Sequence, residues 1–95
     1  MTFTETVIDT WKALSNPALQ STIKRSADGS RLTIDVMTKQ YAAKIEGWED
    51  AFSMDITAVE LISNTGVLLS AGECTSLDEM KERITLLCEM LSQAQ

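Results

Sequence analysis

The sequence predicts an α+β fold, a five-stranded antiparallel sheet with N- and C-terminal helices packed on one face. Between residues 19 and 72, apolar and polar side chains alternate in short runs, as they do in strands with one buried face. At both chain ends the apolar residues instead recur every three or four positions, which is typical of amphipathic helices. The sheet is the only large surface that can cover both helices, so we expect one domain spanning residues 1–95.

The first helix is predicted from a capping box and an apolar stripe. Thr2 and Glu5 have the spacing at which a threonine caps a helix and a glutamate reaches back. The helix should end at Asn16–Pro17, because proline disfavours a helical residue before it. The stripe consists of Phe3, Val7, Trp11 and Leu14.

The five strands are predicted at residues 19–24, 31–37, 41–46, 52–62 and 67–72. Asp28–Gly29 supplies the first hairpin turn, since this pair tolerates positive φ. Gly47 indicates a bulge or the end of regular pairing. Phe52, Met54 and Ile56 share one parity, whereas later apolar residues have the other, which predicts a bulge near residues 57–58.

The second helix is predicted to begin after Ser76, because Ser76 and Glu79 form another capping box. Residues 93–95 are expected to fray. The apolar stripe of this helix is Leu77, Met80, Ile84, Leu87, Cys88 and Leu91.

Charge limits the classes of partner. The chain has 14 acidic and 8 basic side chains, a net charge of −6 and a pI of about 4.4. Nucleic-acid binding needs clustered lysine and arginine, and an anionic membrane needs the same. Only Lys24 and Arg25 are adjacent here, so we expect neither partner. A basic protein partner is favoured; alternatively, the excess acid merely keeps a small protein soluble.

Cysteine use and hydropathy indicate a compartment. Cys74 and Cys88 stand among apolar neighbours with no close pairing motif, so reduced core thiols are expected, as in cytosolic proteins. No apolar run approaches the 18 or so residues that cross a bilayer. We therefore expect a cytoplasmic protein.

The residue inventory argues against catalysis. The chain has no histidine, which removes the Ser-His-Asp and Cys-His arrangements and every imidazole metal site. Cys74 lies two residues before Ser76, where a helix dipole can lower the pKa of a thiol; the alternative, which we expect, is an inert buried cysteine. The sequence thus predicts no catalytic residue, no cofactor and no metal.

A protein-binding surface is predicted on the sheet face opposite the helices. This face should be broad and mixed but acid-leaning, and bordered by Trp48. Tryptophan beside a polar patch is a common interface anchor; alternatively, Trp48 folds under the sheet edge. The predicted partner-binding residues are Asp35, Glu46, Trp48, Glu49, Asp50 and Asp55.

The layout of these elements resembles the TriTu family of immunity proteins. The resemblance covers nearly the whole chain, including its length and element order. It is carried by Trp11 in the first helix, residues 32–35 (LTID) in a strand, residues 47–50 (GWED), residues 65–69 (TGVLL) in the late hairpin, and residues 76–80 (SLDEM) opening the last helix.

The resemblance implies a function. Such immunity proteins are encoded beside polymorphic antibacterial toxins, and the founding case neutralises an Rhs-type toxin that ADP-ribosylates the translation factor EF-Tu. We therefore expect a non-enzymatic inhibitor that occludes the active or target-binding cleft of a type VI secretion toxin in a 1:1 heterodimer. The alternative is a small acidic secretion chaperone or adaptor, which dimerisation and an exposed apolar groove would favour.

Overall fold

The computed structural model describes residues 2–93 and has the predicted α+β fold. The strands form one antiparallel sheet in the order β1-β2-β3-β4-β5, so each strand pairs with its neighbours in sequence. The elements are α1 (Phe3–Leu14), β1 (Gln20–Arg25), β2 (Arg31–Met37), β3 (Tyr41–Trp48), β4 (Ser53–Glu60), β5 (Thr65–Ser70) and α2 (Leu77–Gln93).

The core lies between one sheet face and the two helices. Its centre is a row of three isoleucines, Ile34, Ile45 and Ile56, which pair across β2, β3 and β4 and are fully buried. Because side chains alternate between faces, the residues two positions away along each strand share this side. Both helices pack against this face of the sheet, as predicted. They contribute Phe3, Val7, Trp11, Met80, Ile84, Leu87 and Leu91 to the same core.

The helix boundaries follow their caps. The Thr2 hydroxyl accepts a hydrogen bond from the amide of Glu5, and the Ser76 hydroxyl accepts one from the amide of Glu79. Both predicted N-caps are thus confirmed. Residue 93 still belongs to α2, and residues 94 and 95, for which fraying was predicted, lie outside the described part of the chain.

Two predictions about β3 and β4 are wrong. Gly47 is buried and pairs regularly with Leu32 and Met54, so the ladder continues through Trp48. Phe52 lies before β4 with a φ of +46°, and its side chain is 55% exposed. A left-handed residue interrupts strand geometry, which is why Phe52 does not share the buried side of Met54.

The predicted parity change in β4 does not occur. Met54, Ile56 and Ala58 are all buried, so the strand keeps one parity to its end at Glu60. The register does shift between residues 56 and 57, close to the predicted bulge, but the extra residue lies in β5. Ile56 pairs with Ser70 and Thr57 with residue 68, which leaves Leu69 without an opposite residue.

Candidate functional site

The open face is the side of the sheet that faces away from both helices. Paired residues of adjacent strands point to the same side, so register defines its members. Its charged members on the five strands are balanced rather than acid-leaning, which corrects the prediction. The acids are Asp35, Glu46 and Asp55, and the bases are Lys24, Arg31 and Lys44.

Trp48 lies on this open face and is half-buried. It pairs across β2 with Arg31, whose guanidinium carbon is 5.8 Å from the centroid of the indole ring. Arg31 Nη2 also lies 3.8 Å from Glu46 Oε2. A guanidinium at this distance from an indole face is attracted by its π electrons. These three side chains form a continuous patch, so a partner that approaches the open face can contact an aromatic ring, a cation and a carboxylate.

The structure brings three of the six predicted partner-binding residues together. Glu46 pairs directly with Asp55, and Trp48 follows two positions along the same face of β3. Asp50 is exposed in the turn after β3. Asp35 lies on the open face but directly opposite Lys44, so a base and not another acid is its cross-strand neighbour.

The carboxylate of Glu49 is bound to the start of α1. It accepts hydrogen bonds from the amides of Phe3 and Thr4, at 2.8 and 3.0 Å, and from the Thr4 hydroxyl at 3.0 Å. Burial by itself would raise the pKa of Glu49, but these hydrogen bonds lower it below its ordinary value. A carboxylate at a helix N-terminus is also stabilised by the helix dipole. Glu49 therefore has a structural role at this site.

Asp55 also has a structural partner. Its Oδ1 accepts a hydrogen bond from the amide of Gly72, at 3.1 Å, which ties the segment after β5 to β4. Asp55 is consequently positioned by the fold, and removing its carboxylate would release a backbone amide.

Charge is distributed unevenly across the sheet, a feature that the sequence reasoning missed. Residues 45–80, termed here the acidic segment, contain eight acidic side chains and no lysine or arginine. This segment includes all of β4 and β5. The bases of the sheet belong instead to β1, β2 and the first half of β3, namely Lys24, Arg25, Arg31 and Lys44.

A buried arginine was also missed. Arg83 of α2 is 8% exposed and donates to the carbonyl oxygens of Met54 and Gly72. It also contacts the thiol of Cys74, with Nη1 2.8 Å from Sγ, and Glu79 Oε1 at 3.8 Å. Within the described residues, every buried side-chain nitrogen or oxygen has a hydrogen-bond partner. The guanidinium thus joins α2 to β4 and to the segment that follows β5.

Neither thiol has the environment of a nucleophile. Both cysteines are free; Cys74 is buried and Cys88 is half-buried. Burial raises the pKa of the Cys74 thiol above its ordinary value, despite the opposing charge of Arg83. Burial likewise raises the pKa of the Cys88 thiol, with Glu89 adding to the effect. Raised thiol pKa values disfavour the thiolate, which is the reactive form.

No family model, no curated protein and no solved structure matches this chain. Within residues 2–93, no group of three or more cysteine, aspartate or glutamate side chains is placed to hold a metal ion. Over the same residues, neither helix has the length and apolar character needed to traverse a bilayer.

Proposed function

We propose that this protein is an immunity protein that binds and neutralises a cognate polymorphic toxin, an Rhs-type ADP-ribosyltransferase of a type VI secretion system. It acts in the cytoplasm of the producing cell, as a non-enzymatic monomer that forms a 1:1 complex and occludes the active or target-binding cleft. The resemblance of residues 47–50 and the other quoted segments to the TriTu family suggests this class.

One observation carries the proposal: Trp48 lies on the open face, beside carboxylates and against Arg31. An aromatic ring within a polar surface is the typical composition of an interface anchor. The opposite sheet face is occupied by both helices, so the open face is the broad surface left for a partner.

Charge supports the choice of partner. A toxin that uses a dinucleotide must attract an anionic pyrophosphate, so its cleft presents positive charge. The acidic segment has no base of its own, and it supplies Glu46 and Asp55 on the same face as Trp48 and Asp50 in the turn that follows β3. Complementary charges of this kind speed association and orient the two proteins, whereas a buried aromatic anchor slows dissociation.

The test is the binding kinetics of the purified chain with the toxin domain encoded beside its gene. Trp48→Ala should raise the dissociation rate and weaken binding by about 2 kcal/mol, roughly 30-fold, as expected for a tryptophan that anchors an interface. Leu86→Ala is the matched control, because Leu86 is an exposed apolar residue of α2 on the helical side. Equal, unchanged rates for both variants would contradict the open face as the interface.

Charge reversal tests whether electrostatic attraction speeds association with the toxin. Glu46→Lys and Asp50→Lys should slow association and reduce its salt dependence, because exposed charges act mainly on encounter. Asp35→Lys should have a smaller effect, since Asp35 faces Lys44 and not another acid. If all three variants associate as fast as the wild type at low salt, electrostatic attraction to the toxin is refuted.

One observation favours the alternative of a secretion chaperone or adaptor. Leu61, Ile62, Val67 and Leu68 are exposed apolar residues on the β4–β5 hairpin, and such surfaces are common where partners bind. A chaperone of this class would be a dimer, so sedimentation of the isolated chain separates the two functions. A monomer that protects cells against the toxin supports the immunity protein.

A further inference from the structure

The outer side of β5 is a free sheet edge with no charged residue. β5 (Thr65–Ser70) is the last strand of the sheet and pairs with β4 alone. Its backbone groups on the outer side are therefore available to another strand. Natural proteins usually protect such an edge with charged side chains, above all lysine. β1, at the other edge, follows this rule with Lys24 and Arg25.

The β5 edge and the connection before it carry exposed apolar side chains. Leu68 is 64% exposed on the open face, and Val67 is 49% exposed on the other side. Ile62, in the connection before β5, is 87% exposed. Apolar side chains on both sides of an unprotected edge fit a partner strand whose alternate residues contact them while its backbone extends the sheet.

The irregular residue of β5 limits the length of the available edge. Leu69 has no opposite residue in β4, and pairing is regular only from Thr65 to Leu68. A bulge twists a strand away from a neighbour. The edge therefore accommodates a short strand of about four residues, and a longer one would have to diverge at Leu69.

Charge at the ends of this edge indicates which partner fits. Glu60 pairs with Thr65 at one end of β5, and Glu73 bridges to Ser53 beyond the other end. Both carboxylates belong to the acidic segment, which has no base of its own; Arg83 of α2, which donates to Ser70 and to the carbonyl of Glu73, is buried and does not face a partner. A second copy that paired β5 with β5 would bring two acidic segments together. A basic segment of another protein would instead meet opposite charge at each end.

We propose that the β5 edge pairs with a short extended segment of the toxin, apolar in its centre and flanked by lysine or arginine. The identity of the partner rests on the proposed function; the existence and chemistry of the edge do not. The strand adds to β5 beside the open face, so one bound toxin contacts both Trp48 and Leu68 from the same side of the sheet.

A matched pair of variants tests the edge. Leu68 and Thr22 end the same row of paired residues, Thr22–Asp35–Lys44–Thr57–Leu68, at opposite edges of the open face. Leu68→Lys should weaken toxin binding at least tenfold, because it removes an apolar contact and adds charge of the partner's sign. Thr22→Lys makes the same charge change at β1 and should alter binding less than twofold. Leu68→Ala, which adds no charge, should give an intermediate loss.

Amide hydrogen exchange of the wild-type complex supplies an independent readout. Strand pairing should slow exchange at outward-facing amides of residues 65–68, which are otherwise open to water. If the toxin binds but these amides exchange as in the free chain, or if both lysine variants bind equally, the edge inference is overturned and the proposed function stands. If the wild type does not bind the toxin at all, both are overturned.

A second copy of this chain is the other occupant that the edge could take. The basic β1 edge of one copy could pair with the β5 edge of the next, which would give open chains rather than closed dimers. Sedimentation of the isolated protein should show a monomer. Oligomers that Leu68→Lys and Thr22→Lys both disperse would identify a second copy as the occupant and overturn the proposal.

Discussion

Removing the buried guanidinium of Arg83 should strongly destabilise the fold. In Arg83→Met the apolar stem keeps its packing, but the carbonyl oxygen of Met54 loses the guanidinium, and that of Gly72 keeps only the amide of Met54 as its donor. The bond to Met54 is buried and the bond to Gly72 is partly buried. A buried acceptor that loses its partner costs about 1–3 kcal/mol, and the lost bonds to Gly72 and to the Ser70 hydroxyl add to this, so we expect a loss of about 3 kcal/mol in the free energy of unfolding.

This loss is large for a small domain. Total stabilities are about 5–15 kcal/mol, and urea slopes for small proteins are about 1–3 kcal/mol per molar. The urea midpoint of Arg83→Met should therefore fall by about 1 M or more. Trp11, which is 2% exposed in the core, provides the fluorescence signal for the transition.

Lys81→Met is the matched control for Arg83→Met. It removes one positive charge from the same helix at an exposed position and should change the free energy of unfolding by less than about 0.5 kcal/mol. Arg83→Lys should not restore stability, because one ammonium cannot reproduce the fork of guanidinium donors. If Arg83→Met loses less than about 1 kcal/mol, or no more than Lys81→Met, the guanidinium does not hold α2 to the sheet.

Two further predictions concern stability. Glu49→Gln should destabilise the fold by about 1 kcal/mol at neutral pH, because it removes the charge at the start of α1. Since the pKa of Glu49 is lowered in the fold, its contribution is complete above the pKa of the unfolded chain and is lost as pH falls through the folded value. Urea unfolding at neutral and acidic pH should therefore show the gap closing in acid, and a constant gap would contradict this role. Cys74→Ala should cost about 1–3 kcal/mol and Cys88→Ala less, because Cys74 is buried and Cys88 is half-buried. The folded double variant should still protect cells against the toxin; loss of protection would point to a functional thiol.

The element order was predictable because it depends on local signals. Helical periodicity, the caps Thr2 and Ser76 and the Asp28–Gly29 turn each act within a few residues, and all four are found in the structure. Short connections between the strands then favour neighbours in sequence as neighbours in space. The antiparallel order β1-β2-β3-β4-β5 is the result.

The errors arose where long-range contacts override a local pattern. Phe52 alternates with Met54 in sequence, but the chain between β3 and β4 needs a left-handed residue, and the Phe52 ring packs edge-on to Phe3 at 5.8 Å. Glu49 looked like a surface acid because its partners lie 45 and 46 residues away. The burial of Arg83 depends on three segments meeting, which periodicity in α2 cannot reveal.

Part of the candidate site was predictable, because the register of one hairpin determines it. Glu46, Trp48 and Asp55 were grouped correctly because a hairpin places them in adjacent positions once its register is known. The expected acid-leaning charge of the whole face was wrong, since Lys24 of β1 and Arg31 at the start of β2 also lie on it and were not counted. The free β5 edge could have been suspected from its sequence, which combines Val67, Leu68 and Leu69 with no charge.

The sheet order turns the change from basic to acidic residues along the chain into a difference in charge between the two edges of the sheet. When neighbours in sequence are neighbours in space, the bases of β1 and β2 remain on one side and the acidic segment remains on the other. A crossover between distant strands would have mixed them. On the proposed function, a basic partner would be attracted toward β4 and β5, which lie between Trp48 on β3 and the free edge. The balanced open face and the net charge of −6 are consistent with each other, because the strands carry four acids and four bases and the excess acid lies in the helices and the connections.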